Sequence, residues 1–193
     1  MTLLIAGLVL FLGIHSVAIF SPQIKTATVA RMGLNGWKGL YSLLAITGFV
    51  LICIGYGEAR LNDPVWLYQP AKGLRHLALL LLLPVFPLLL AAYLPGRIRT
   101  ATKHPMLLAT KLWALSHLLA NGGLHDVLLF GGFLAWAVAD RISLKRRAVV
   151  TPPPSAPASR WNDGMVVLGG LALYVLFVGG LHQMLIGVSP VAG

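Results

Sequence analysis

The chain has 193 residues, of which 58% are hydrophobic and only 10% are charged. A soluble domain carries about 25% charged residues, so this composition excludes a soluble protein and predicts one transmembrane domain over residues 1–193. The net charge of +10 indicates cytoplasmic loops that face anionic membrane lipids, and we expect no nucleic-acid partner. The single cysteine, Cys53, excludes an intrachain disulfide, and without a CxxCH motif any haem would be held non-covalently.

Six apolar runs are predicted to cross the membrane as helices. They cover residues 3–20, 37–57, 73–94, 105–121, 124–140 and 164–188. Each run has about 17–25 residues, enough to cross a bilayer core at a rise of about 1.5 Å per residue. The first run lacks a basic leading segment, so we interpret it as a membrane helix and not as a cleaved signal. The predicted fold class is therefore all-α, a polytopic bundle of six transmembrane helices.

The basic residues separate the connecting segments into two groups. Eleven lysines and arginines lie in the segments 21–38, 95–104 and 141–163, whereas the opposite side has three, Arg60, Lys72 and Arg75. Six spans place the three basic segments on one face, which the positive-inside rule assigns to the cytoplasm, with both termini outside. Residues 151–159 are predicted to form a proline-rich cytoplasmic linker.

Two features of the spans themselves affect packing. Pro84 and Pro87 interrupt the third span and predict a kink, because each lacks a backbone donor. The last span is rich in glycine and is expected to pack closely against a neighbour. Asn121-Gly122-Gly123 is the only separation between the fourth and fifth spans, which therefore form a tight hairpin.

Two histidines lie deep inside apolar runs. His15 is about 18 Å from the outer end of the first span, and His117 is about 18 Å from the inner end of the fourth. In a core of about 30 Å the two imidazoles are then within roughly 6 Å of the same depth. Such a pair can hold a haem iron, or each histidine can simply bond to a neighbouring helix. Carboxylates occur only at span ends and in loops, which excludes a di-iron site.

The fourth span presents two polar faces. Trp113, His117 and Asn121 recur at four-residue spacing, so Trp113 and Asn121 are candidates to line the His117 site. His104 and Lys111 share a different face. We interpret His104 as a boundary residue and Lys111 as reaching the headgroups, with a buried partner or an anionic ligand as the alternative for Lys111.

The remaining polar candidates are predicted nearer the outer surface. His76 and His182 could form a second pair, or they could belong to a polar pocket with Arg75. His125 follows the outer turn beside Asp126, and both His104 and His125 are interpreted as surface or capping residues.

The block HPMLLATKLWALSHLLANGG, followed by LLFGGFLAWAVADRISLKRR, resembles the NnrU family of bacterial membrane proteins. The segments IHS and KGLRHLALLLLLP also fit, so the resemblance covers nearly the whole chain. It implies a multi-pass bacterial inner-membrane protein associated with denitrification and with nitric oxide or nitrite reductase function.

The NnrU family is similar to the plant 15-cis-ζ-carotene isomerase, which carries b-type haem on two histidines. That similarity implies His15 in the His15-Ser16 motif and His117 as haem ligands. The isomerase also has a cysteine that takes part in a ligand change, and Ala114 stands at its position here. A cysteine-driven ligand change therefore cannot occur in this chain.

Three functions remain open from the sequence. The first is an NnrU-like protein that supports nitrogen-oxide metabolism and binds haem b through His15 and His117. The second is a haem-dependent isomerase of a cis-polyene or isoprenoid lipid. The third is an assembly partner of a nitrogen-oxide reductase, in which the histidines are structural.

Overall fold

The structure is a computed structural model that describes residues 1–62, 64–147 and 154–191, without the side chain of Lys72. Over these residues the regular structure is helical, apart from one isolated bridge between Trp66 and Gly123. The predicted all-α class is confirmed. Residues 151–153 of the predicted linker at 151–159 lie outside the described residues.

Nine α-helices and one π-helical turn are formed within the described residues. They are α1 (Thr2–Phe20), α2 (Pro22–Leu61), α3 (Lys72–Leu82), α4 (Val85–Ala91), α5 (Arg97–Thr102), α6 (Pro105–Ala120), α7 (Leu124–Arg146), α8 (Asn162–Leu176), the π-helical turn (Phe177–Leu181) and α9 (His182–Ile186).

Five helical stretches of the described chain are long and apolar enough to cross a membrane. They are Thr2–Phe20, Pro22–Leu61, Gly73–Ala91, Leu124–Arg146 and Asn162–Ile186. The fourth predicted span corresponds to α6, which has only 16 residues and is slightly shorter than the roughly 17 that a span needs. A helical membrane protein is thus supported directly, whereas the count of six spans and the outside position of both termini stay predictions.

Two segments predicted as loops are partly helical. α2 begins at Pro22, well before the apolar run, and is interrupted at Gly33, where φ is 73° and ψ is 169°. Proline suits the first turn of a helix, and the glycine accepts the positive φ that ends the first section. The basic segment 95–104 contains α5. Hydropathy located the membrane-length runs, but backbone hydrogen bonding extends helices into polar sequence as well.

The described chain divides into two compact units. Unit 1 comprises Met1–Gln69 and Asn121–Arg146, and unit 2 comprises Pro70–Ala120 and Arg147–Gly193. Unit 1 therefore contains α1, α2 and α7. Unit 2 contains α3 to α6, α8, the π-helical turn and α9.

Unit 1 is built on close backbone contact between α1 and α2. A β-carbon at Gly7 would lie 2.6 Å from the backbone nitrogen of Ile52, and one at Gly48 would lie 2.7 Å from that of Phe11. Small residues at such crossings let helix backbones approach in a membrane. The tight crossing fixes the part of α1 that leads to His15.

Unit 2 has a small core where α4 packs on α6. Val85, Leu88 and Ala109 are buried there. The predicted interruption of the third span is found between α3 and α4, at Pro84. The predicted close packing of the last span is confirmed at Gly170, where a β-carbon would collide with Pro87, whereas a β-carbon at Gly179 or Gly180 would have nothing within 4 Å.

Two polar side chains at the start of α8 accept hydrogen bonds from, or donate them to, neighbouring loops in unit 2. Asp163 accepts hydrogen bonds from the backbone N–H groups of Arg97 (2.9 Å) and Ile98 (3.1 Å), and so caps α5. Asn162 donates to the carbonyls of Pro95 (2.8 Å) and Pro157 (3.1 Å). The described part of the linker is thereby joined to the loop before α5.

Candidate functional site

His15 lies on α1, half-buried, with its ring position fixed by a backbone bond. Its Nδ1 is 2.7 Å from the carbonyl oxygen of Phe11, one helical turn earlier. A carbonyl can only accept, so in the neutral ring the proton is on Nδ1 and the lone pair is on Nε2. Metal-ligating histidines are typically held in this way, with one ring N–H on a carbonyl and the other nitrogen available to the metal.

Aromatic rings surround His15 within unit 1. Phe11 stacks on it with ring centroids 4.2 Å apart, and Tyr41 and Trp136 meet it edge-on at 5.2 Å and 6.1 Å. The Trp136 Nε1 is buried and has no hydrogen-bond partner among the described residues. A buried donor without an acceptor costs about 1–3 kcal/mol, so this N–H is a candidate donor to a bound group.

His117 lies on α6 in unit 2 and is held in the same way. Its Nδ1 is 2.8 Å from the carbonyl oxygen of Trp113, so its Nε2 also carries the lone pair in the neutral ring. The Trp113 ring lies 5.4 Å from the imidazole, between centroids, and packs against the buried core of Val85, Leu88 and Ala109. Trp113 is therefore a neighbour of His117, as the four-residue spacing predicted.

His182 is the residue that the structure brings beside His117. The two rings are stacked at a centroid distance of 6.4 Å and an interplanar angle of 27°. The His182 Nδ1 is 2.6 Å from the carbonyl oxygen of Val188, so this ring too has its lone pair on Nε2.

The other predicted site residues have different surroundings. His76 and Arg75 are exposed on α3. Asn121 lies just after α6, and its backbone carbonyl accepts a 2.7 Å hydrogen bond from the hydroxyl of Tyr68. His104 precedes α6, where its carbonyl accepts from Leu108 at 3.2 Å, and Lys111 is half-buried on α6.

A buried polar cluster at the start of α7 was missed by the sequence prediction. His125 was interpreted as a surface or capping residue, yet only 2% of its surface is exposed, and its neighbour Asp126 is only 3% exposed. One Asp126 oxygen accepts from the hydroxyl of Tyr56 at 2.6 Å, and the other accepts from the Gly123 backbone N–H at 3.0 Å. Asp126 therefore provides the cap, and the surface interpretation of His125 is wrong.

The cluster is buried because distant residues cover it. The His125 ring lies 5.3 Å from that of Tyr56, and its Nε2 is 3.5 Å from Asp126. His125 Nδ1 is buried without a hydrogen-bond partner among the described residues. Asp126 is the third residue of α7, a position from which the sequence alone could have identified it as a cap. Its contact with Tyr56 could not be predicted from local sequence, because the two residues are 70 positions apart.

The loop before α3 closes over the same turn. The backbone N–H of Leu67 donates to the carbonyl of Gly122 at 2.8 Å, next to the Tyr68–Asn121 hydrogen bond. Partial burial, and then the nearby Asp126 carboxylate, raise the pKa of Tyr68 above its ordinary value of 10.0. These hydrogen bonds therefore hold the loop and the turn together at one end of unit 1.

The histidines described above are the side chains of this site that could ligate a metal. Within residues 1–62, 64–147 and 154–191, no three or more His, Cys, Asp or Glu side chains group together as metal ligands would. A haem iron needs only axial ligands from the protein, because the porphyrin supplies the others. The fold defines a helical membrane protein, and His15, His117 and His182 each have Nδ1 on a backbone carbonyl and, in the neutral ring, the lone pair on Nε2.

The chain belongs to the NnrU family. The family model described as NnrU protein matches residues 3–190, which span both units. No curated protein and no solved structure matches the chain.

Proposed function

We propose that this NnrU-family protein binds b-type haem through His15 and His117 and supports nitrogen-oxide metabolism in the bacterial inner membrane. The observation that carries the proposal is the shared arrangement of the two rings. Each imidazole has its Nδ1 on a backbone carbonyl of its own helix and its lone pair on Nε2.

The unpartnered Trp136 N–H supports the same proposal from a different group. It lies beside His15, buried and without an acceptor among the described residues, as expected of a donor that serves a bound group. A structural histidine needs no such neighbour.

When bound, haem b would supply reversible one-electron chemistry or a gas-binding iron. The chain would contribute two neutral imidazoles, fixed in orientation by the carbonyls of Phe11 and Trp113. Aromatic rings around His15 would keep water from its side of the site. The local dielectric constant would then be low, which strengthens electrostatic interactions with nearby dipoles. These contributions suit electron transfer or a response to nitric oxide.

The test is an optical spectrum of the full chain purified in detergent from haem-replete cells, oxidised and dithionite-reduced. We expect a Soret band and sharp reduced α and β bands. His15→Ala and His117→Ala should each change or abolish them, whereas His76→Ala, on the exposed face of α3, should leave them unchanged. Helical circular dichroism and a single elution peak establish that each variant is folded.

A spectrum without haem bands from the folded wild-type chain would overturn the haem proposal. Gene deletion in a denitrifying bacterium then tests the process. If nitrogen-oxide reductase activity falls and both histidine variants restore it fully, the protein is an assembly partner with structural histidines. If activity is unchanged by deletion, the link to nitrogen oxides is wrong.

The isomerase alternative has weaker support from the residues. Ala114, at the position of the isomerase's cysteine, is fully buried in unit 2 and has no side-chain group that could ligate iron. Turnover of a cis-polyene by reduced membranes that contain the protein would nevertheless favour this alternative.

A further inference from the structure

We infer that His182 belongs to the same metal site as His117 and can provide the second imidazole to the iron when His15 does not. This inference rests on the proposed haem function and adds a ligand that the depth argument did not select. It arises from unit 2 alone, where both histidines lie.

The two imidazole rings are spaced as two ligands of one metal would be. Metal–nitrogen distances are about 2.0–2.1 Å, so the ring centres of two imidazoles on opposite sides of one metal are roughly 6 Å apart. The His117 and His182 centroids are 6.4 Å apart. The 6.4 Å separation therefore suits two ligands that share a metal, and it is larger than the 4.2 Å between the ring centroids of Phe11 and His15.

Both rings have the tautomer that a metal ligand needs. His182 and His117 each direct Nδ1 at a backbone carbonyl, at 2.6 Å and 2.8 Å, so both are in the tautomer that ligates through Nε2. Because neutral imidazole suits iron, copper and zinc, the pair has the right chemistry for a transition metal.

The backbone on both sides of His182 departs from regular α-helix. The π-helical turn Phe177–Leu181 comes directly before it and contains Gly180, whose φ of 173° and ψ of −33° are not helical. After α9 the chain reverses at Gly187, with φ 80°, and this returns the carbonyl of Val188 to the His182 ring. π-Helical turns are rare and are frequently found at functional sites.

The His182 segment also differs from the rest of the last helix. α9 has only five residues, and the side chains of Met184 and Leu185 are 72% and 62% exposed. Few packing contacts thus restrain this end of the chain, and His182 can adjust to a metal at small energetic cost.

The experiment compares ferric full-length protein by electron paramagnetic resonance and optical spectroscopy. His15→Ala and His15→Gln should shift the haem bands relative to the wild type but keep haem and remain six-coordinate and low-spin, because His117 and His182 then ligate the iron. Adding His182→Ala should convert most of the iron in both backgrounds to a five-coordinate high-spin form. The matched control, His76→Ala in the same backgrounds, should leave the iron low-spin.

The outcomes separate the two proposals. A wild-type protein without haem ends the proposed function, and with it this inference. A haem-containing wild type whose folded His15 variants are already high-spin overturns the inference about His182 and leaves His15 and His117 as the ligands. Low-spin His15 variants that are unaffected by His182→Ala overturn it equally, since another residue must then supply the ligand. Copper or zinc bound at His117 and His182 in haem-containing protein would also contradict it.

Discussion

At the residue scale, the environment of Trp136 gives a prediction that does not involve an iron ligand. Its buried N–H lacks an acceptor among the described residues and lies beside His15. If this N–H donates to bound haem, Trp136→Phe should weaken haem retention about tenfold, the equivalent of about 1.4 kcal/mol. Haem transfer to an apoglobin measures the loss, and Trp161→Phe, at a 65% exposed tryptophan, serves as the control. Equal transfer rates for the two variants would assign Trp136 to packing.

The buried carboxylate of Asp126 gives a second prediction at the same scale. Removing the Tyr56 hydroxyl leaves one Asp126 oxygen without its 2.6 Å donor. Tyr56→Phe should therefore destabilise the protein by about 1–3 kcal/mol. The thermal unfolding midpoint in detergent measures this, with Tyr93→Phe, at an exposed tyrosine, as the reference. Matching midpoints for the two variants would show that the hydrogen bond contributes nothing net.

At the scale of single helices, local patterns were sufficient for some features and not for others. Hydropathy located the apolar helices. The missing backbone donor of proline predicted the interruption at Pro84, and the small size of glycine predicted the close packing at Gly170. The helix before Gly33 was missed because a helix needs no apolar run. The His117–His182 contact joins residues 65 positions apart, and periodicity within one helix carries no information about such a pair.

The cap of α5 provides the prediction at this scale. Asp163 accepts from two backbone N–H groups at the start of α5, although it belongs to α8. Asp163→Ala should destabilise unit 2 by about 1–2 kcal/mol, because both donors lose a charged acceptor next to the positive end of the helix. Hydrogen exchange at Arg97 and Ile98 should increase with the loss of the cap, while exchange in α1 should not. Unchanged exchange at both positions would mean that water replaces the carboxylate without cost.

At the scale of the whole molecule, the hydrogen bonds of the loop before α3 bear on the number of spans. Leu67 and Tyr68, before α3, bond to Gly122 and Asn121, after α6, so these two segments are on the same side of the membrane. If the stretch Gly73–Ala91, which is long enough to cross, spans the membrane, the chain returns to that side through α6, despite its 16 residues. This supports six spans over five.

Cysteine labelling in spheroplasts tests that topology on a Cys53→Ser background. Gln69→Cys should react with a membrane-impermeant maleimide, whereas Ala101→Cys and Ser155→Cys should react only after permeabilisation. The physical reason is the positive-inside rule, since both protected positions lie in the basic segments. Labelling of Ser155→Cys from outside, with Ala101→Cys protected, would show that α6 does not cross and that the protein has five spans. Labelling of Ala101→Cys and Ser155→Cys together, with Gln69→Cys protected, would instead keep six spans and reverse the orientation.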